Sequence, residues 1–129
     1  MDQQRKIWGT TSSLFQSPFF SLHLLRIDGG GYCSEHRHDR KRNHFHILSG
    51  RLFIHQWPVG AEQDQPDTTP LEAGQSLTIE VGTWHSFTAA LPTVCLELYE
   101  AAPVEEDIER RTTGGMHGHA PDPNEAGLP

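Results

Sequence analysis

Three observations predict an all-β fold for this chain. Short apolar segments, many of them alternating, recur from Phe19 to Glu100 and are separated by turn residues. None of the long helical runs of an α/β fold is present. The 129 residues are enough for one modest core, because a chain of this size buries about two-thirds of its extended surface. Strands of this spacing suit an antiparallel sandwich or barrel.

The elements follow in order. Residues 1–13 are polar around Trp8, a segment that docks across a neighbouring sheet or subunit, or frays. Phe19 to Ile27 reads as the first strand, carries His23 and closes at Asp28-Gly29-Gly30-Gly31. Tyr32 to His38 is the second, followed by the charged turn Asp39-Arg40-Lys41-Arg42. Asn43 to Leu48 and Arg51 to Trp57 flank Ser49-Gly50. Pro58 to Pro70 reads as a loop, with a short strand near Thr68 to Leu71. Gln75 to Val81, Trp84 to Ala89 and Val94 to Glu100 complete the set, with hairpin turns expected at Gly50 and Gly82. Val104 to Arg111 is too short to be stable alone and is expected to form a C-terminal helical turn. The organisation expected is an N-terminal extension over 1–18, the β domain over 19–112 and a disordered tail over 113–129.

Ten Lys and Arg against 17 Asp and Glu give a formal net charge of −7. That balance argues against general binding to a nucleic-acid backbone or an anionic membrane, while leaving room for a small anion in a locally basic pocket. Two cysteines, Cys33 and Cys95, are too few for a disulfide-dense scaffold. The opening residues lack the apolar run of a signal peptide, and no stretch has the length of a membrane span. A cytoplasmic protein is the expectation.

The chemistry concentrates in histidines. His36 and His38 sit two apart in a candidate strand, so they share a face and can offer two imidazole nitrogens to one divalent ion. His85 begins a later strand and becomes a third ligand if the fold carries it opposite the pair. Alone, a His-x-His pair is equally well explained by hydrogen-bonded surface residues.

The spacing around these residues resembles the cupin superfamily. Gly30, five residues, His36-Arg37-His38, four residues, Asn43, six residues and Gly50 reproduce the first family motif. Gly74, five residues, Glu80-Val81-Gly82, two residues, His85, three residues and Ala89 reproduce the spacing of the second. The resemblance implies a small double-stranded β-helix, a jelly-roll barrel, with a divalent metal (Fe, Mn, Ni, Co or Zn) held inside by His36, His38 and His85. Asn43 stands where the family usually places a ligating Glu; its carbonyl oxygen is an uncharged fourth donor. Glu80 replaces the turn Pro, and Ala89 replaces an Asn.

A weaker similarity links the chain to the cupin domain of type II phosphomannose isomerases, carried by Leu48-Ser49-Gly50, Glu97 and Glu106-Asp107-Ile108-Glu109-Arg110. It implies common ancestry more than shared sugar-phosphate isomerisation. Small cupins commonly pair through sheet faces or exchange an N-terminal strand, and Trp8 and Phe15 ahead of the motifs need cover. A homodimer is therefore expected.

Alternation sorts the remaining candidates. If Asn43 faces the cavity, Phe45 and Ile47 face it too, and His44 and His46 point away. His55 shares a face with Phe53 and Trp57 and reads as structural; His117 and His119 lie in the tail. On the last strand, Val94, Leu96 and Leu98 are the obvious core set. If Glu97 and Tyr99 face the cavity instead, Glu97 becomes a general base or the partner of a His, and both are candidate catalytic residues. Arg37, Arg40, Lys41, Arg42 and Arg51 form either a solvated turn or an anion-binding rim, and Cys33 is expected to point away from the histidines. The functional reading is a metal-binding small cupin of open reaction class with a small anionic or polar substrate. The alternative is a non-catalytic binder of a sugar or carboxylate.

Overall fold

A computed structural model describes residues 3–60, 65–100 and 108–117. Thirteen strands are present among them: β1 (Gln3–Lys6), β2 (Gly9–Gln16), β3 (Phe20–Ile27), β4 (Gly31–Tyr32), β5 (His36–Arg37), β6 (Arg42–Ser49), β7 (Arg51–Trp57), β8 (Asp67–Glu72), β9 (Ser76–Ile79), β10 (Trp84–Ala89), β11 (Thr93–Glu100), β12 (Glu109–Arg110) and β13 (Gly115–Met116). One sheet has the order β1-β2-β3-β11-β6-β9. In the other, β10 pairs with β7, which carries β8, and also with β5 and β4, which carry β12 and β13. The polar N-terminal segment supplies β1 and β2, joined to β3 over the whole length of β2.

Two expectations about the fold are corrected. Neither sheet closes into a barrel: β1 and β9 remain separate edges of the first, and β8 lies at an edge of the second. The reason lies at the turns. Gly50 and Gly82 do not make hairpins; β6 belongs to the first sheet and β7 to the second, and the same holds for β9 and β10. Each turn therefore moves the chain across the sandwich, giving a jelly-roll-like pair of open sheets. Gly50 has φ +93°, and a Cβ there would lie 2.4 Å from Pro92 O and 2.5 Å from Thr93 Oγ1, so only glycine fits this crossing.

The second correction concerns the C-terminal helical turn. No helix occurs among the described residues; residues 104–107 lie outside them. Glu109 and Arg110 are instead the strand β12, paired with Arg37 and His36. The open edge of β5 offers backbone partners, which stabilise an extended segment better than a lone helical turn can stabilise itself. Arg111 N–H continues the docking by donating to Glu35 O at 3.0 Å.

The core lies between the sheets. Leu25, Ile27, Phe45, Ile47 and Cys95 face Leu52, Ile54, Leu71, Phe87 and Ala89. Trp8 packs edge-on against Phe87, with ring centroids 5.1 Å apart. The last long strand, β11, turns the opposite way from the obvious pattern. Thr93, Cys95 and Glu97 are buried, whereas Val94, Leu96 and Leu98 are only half-buried on the outer face. A polar wall inside the sandwich outweighed aliphatic burial here.

Candidate metal centre

His36 and His85 stand directly opposite one another across the β5–β10 ladder, their rings 4.3 Å apart. His38 closes the group, with centroids 5.1 Å from His36 and 5.4 Å from His85. Its backbone is held by Gly82 N–H, which donates to His38 O at 2.7 Å. All three are buried, and one ligand atom from each lies within 4.8 Å of the others.

The backbone sets the tautomers. His36 Nδ1 lies 2.7 Å from Ser34 O, and His85 Nδ1 lies 2.9 Å from Thr83 O. A carbonyl can only accept, so each Nδ1 carries the proton and each Nε2 keeps its lone pair for a metal. Burial, reinforced by the neighbouring imidazoles, holds His36 well below its ordinary pKa. Burial also lowers His85 to about 4. Both rings are therefore neutral at neutral pH, as ligation requires.

Asn43 is fully buried on β6 beside this group. Its Nδ2 donates to Glu97 Oε2 at 3.1 Å and lies 3.5 Å from His85 Nε2, while its Oδ1 is buried with no hydrogen-bond partner among the described residues. A flip of the amide exchanges the two atoms. The oxygen then takes the place beside His85, and Glu97 must be protonated to donate to it. Glu97 is itself buried, and that desolvation raises its pKa against the lowering effect of hydrogen bonds from Asn43 and Tyr99. A donor set of three imidazoles, joined by the Asn43 carbonyl oxygen when the amide is flipped, suits a divalent ion of the first transition row or zinc.

The site opens onto a cavity of about 350 Å³ between the sheets. One wall is the inner face of β1, β2, β3 and β11, including Lys6, Ser13, His23, Glu97 and Tyr99. The other includes Trp8, Cys33, Ser34, His36 and Phe87, with Arg110 from β12. Glu97 and Tyr99 thus both face the cavity. Tyr99 is also packed edge-on against His38 at 5.3 Å and His23 at 5.7 Å.

Other candidates fall elsewhere. Cys33 points inward rather than away, because the chain leaves strand geometry between β4 and β5; its Sγ accepts from Phe87 N–H at 3.2 Å. Burial raises its pKa, so the thiol stays protonated. His44 lies 2.7 Å from Thr78 Oγ1 and 2.8 Å from Glu100 Oε1, and His46 lies 2.6 Å from Ser76 Oγ, both on the outer face. His55 bridges Thr68 and Thr88.

The basic turn has partners of its own. Arg37 pairs with Glu109 at 2.7 Å, Arg42 with Glu80 at 3.0 Å, Arg51 with Glu72 at 3.8 Å, and Lys41 Nζ lies 4.3 Å over the Tyr99 ring. The cations that line the cavity are Lys6 and Arg110, which motif spacing does not reveal because they come from the chain's two ends. Trp8, the one aromatic in a mostly polar segment, was the available signal that this segment docks.

Comparison with known proteins agrees with this fold. KdgF from Halomonas sp. superposes with a TM-score of 0.69 at 16% identity, covering 82% of this chain and 89% of that one. Streptomyces PAC13 with uridine gives 0.70 at 13% identity, covering 87% and 84%. Oxalate decarboxylase from Bacillus subtilis gives 0.73 at 12% identity, covering 84% of this chain but only 29% of that one. At these identities the likeness establishes the fold alone. No curated protein matches the sequence. The family model described as Cupin domain matches residues 23–99, a span that holds all three histidines and more than half the chain. The chain therefore belongs to the cupin domain family.

Proposed function

We propose that this protein is a divalent-metal cupin that takes a small polar or anionic substrate into the cavity between its sheets. The observation that carries the reading is the buried triad of His36, His38 and His85, with ligand atoms within 4.8 Å of one another and two of the tautomers set by backbone carbonyls. A bound ion supplies Lewis-acid polarisation of a substrate oxygen. Glu97 holds or accepts a proton at its carboxyl, whose pKa burial raises above the ordinary carboxylate value. Burial and the adjacent Glu97 hold the Tyr99 phenol well above its ordinary pKa, so Tyr99 serves as a hydrogen-bond donor. Asn43 orients Glu97 and is the fourth candidate donor to the ion.

Elemental mass spectrometry on untagged protein tests this. Near one equivalent of Fe, Mn, Ni, Co or Zn is expected in the parent, and its loss in His36→Ala, His38→Ala and His85→Ala. No metal after reconstitution overturns the reading. Binding without turnover is the second reading, favoured by the uncharged Asn43 at the usual Glu position. A metal-loaded protein that retains its ligand chemically unchanged selects it.

The assembly we propose is a homodimer in the cytoplasm. Leu22, Leu24, Leu96 and Leu98 adjoin on the outer face of β3 and β11, and exposed Phe15 and Phe20 stack at 5.3 Å. Both cysteines are free, as a reducing compartment keeps them. No helix among the described residues is long and apolar enough to cross a membrane. Sedimentation at twice 14.5 kDa is expected; a mass of one chain overturns the dimer.

A further inference from the structure

The lining of the cavity carries more positive than negative groups. Lys6 on β1 and Arg110 on β12 both line it, and neither has an ion-pair partner among the described residues. Trp8, 4% exposed, lines it as well through its ring. The one carboxylate among the lining residues is Glu97, and Asn43 and Tyr99 already hydrogen-bond to it.

Two cations facing one small cavity repel each other. Burial, and then the nearby Arg110, lower the Lys6 pKa while Glu97 across the cavity raises it, which places the two cations and this one acid in each other's field. An anion between them relieves both the repulsion and the desolvation. Exposed Arg110 stands at the cavity's rim while half-buried Lys6 stands within it, and His36 of the metal triad borders the same space.

We propose that Lys6 and Arg110 form a carboxylate-binding subsite, so that the substrate is a small hydroxy acid anchored by its carboxylate with its remaining oxygens toward the metal triad. The planar guanidinium fork matches a carboxylate, and a single flanking ammonium completes a monoanion's charge. Gln4, Thr11, Ser13 and Gln16 on the same wall supply partners for hydroxyl groups. The cavity of about 350 Å³ admits a six-carbon acid. The assignment rests on the metal-cupin reading for where the hydroxyl end points, but not for the carboxylate contact itself.

Isothermal titration with gluconate, glucitol and inorganic phosphate tests it, because gluconate and glucitol differ only in the carboxylate. The zinc-loaded parent is expected to bind gluconate at least tenfold more tightly than glucitol. Lys6→Met and Arg110→Met are each expected to weaken gluconate by roughly tenfold or more, with zinc content and melting temperature unchanged. Equal gluconate affinity in parent and both variants overturns the proposal, as do equal affinities for gluconate and glucitol or no gluconate binding by the parent. Displacement of gluconate by inorganic phosphate, with the same dependence on Lys6 and Arg110, overturns the choice of carboxylate. If the parent holds no zinc, the metal reading fails separately. The same titration on metal-free protein then decides the subsite, since its preference for gluconate over glucitol must still depend on Lys6 and Arg110.

Discussion

Asn43 and Glu97 are joined by a 3.1 Å hydrogen bond in which the amide donates, and the same amide nitrogen stands 3.5 Å from His85 Nε2. One side chain thus links the candidate ligand set to the cavity's buried acid. Asn43→Ala is expected to leave Glu97 short of a donor inside the sandwich and to destabilise the protein by about 1–3 kcal/mol. Urea denaturation of the metal-free form measures this, and an unchanged midpoint would show that the bond carries no weight.

Asn43→Glu restores the charged donor usual in the family. It places a carboxylate beside three imidazoles and is expected to tighten divalent-metal binding on the order of tenfold. The gain is held down by like-charge repulsion from Glu97, so the double variant with Glu97→Gln should bind tighter still. Competition against a chelator of known affinity reads both effects, and weaker binding in the double variant contradicts the placement of position 43 at the metal.

The metal-free protein is expected to lose stability as acid is added. A histidine whose folded pKa is depressed binds fewer protons folded than unfolded, so stability is complete above the ordinary value of 6.5 and falls as pH drops through the folded value. His85, lowered to about 4, contributes about 3 kcal/mol of this loss by pH 4. His36, His23 and His55 are shifted the same way, each mainly by burial. Glu97, shifted upward, acts in the opposite sense: its effect is lost stability as pH rises past 4.5. Chemical denaturation between pH 7 and pH 4 on chelator-treated protein should show the slope, and His85→Gln should flatten it.

Gly50→Ala tests the crossing between sheets. The position combines φ +93° with a Cβ site 2.4 Å from Pro92 O, so the methyl must displace backbone rather than a flexible side chain. A loss of about 2 kcal/mol or more is expected, read as a lower melting temperature. Gly74, also at positive φ but with nothing within 4 Å of its Cβ site, is the matched control and should lose less.

Much of the fold was legible because burial on one sheet face writes itself as alternation. β7 and β10 occupy Arg51–Trp57 and Trp84–Ala89, the spans read from sequence. The triad was legible through the resemblance to the cupin motifs, whose spacing from Gly30 and Gly74 singles out His36, His38 and His85. What alternation cannot report is which sheet a strand joins, and so Gly50 and Gly82 looked like hairpins. It also misjudged β11, where Leu96 and Leu98 carry the stronger apolar signal yet lie outside, because Glu97 and Tyr99 serve the cavity. Lys6 and Arg110 meet only through pairing of the two chain ends with the sheets, a relation of high sequence separation that no local pattern contains.

That pairing makes Arg111 a positioning residue for the cavity. Its Nε donates to Glu35 Oε1 at 3.0 Å, and its guanidinium lies 4.5 Å from the Trp84 ring and 5.0 Å from the Trp57 ring. These contacts, together with Glu35 N–H donating to Thr112 Oγ1 at 2.8 Å, press the returning segment onto β5 and so hold neighbouring Arg110 at the cavity. Arg111→Ala removes a partly buried ion pair and two cation–π contacts, with an expected cost of about 1–2 kcal/mol. The loss should be local: faster amide exchange at Arg111 and along β12, with β10 and β7 still protected. Metal content should change little, because β10 still pairs with β5 at His85 and His36 and Gly82 N–H still holds His38 O. Gluconate affinity should fall through a freed Arg110, and Arg111→Lys should recover it only partly, since an ammonium cannot reproduce the planar stacking on Trp84. Exchange at β12 that stays as slow as in the parent would place the hold on this segment elsewhere, in the Arg37–Glu109 pair.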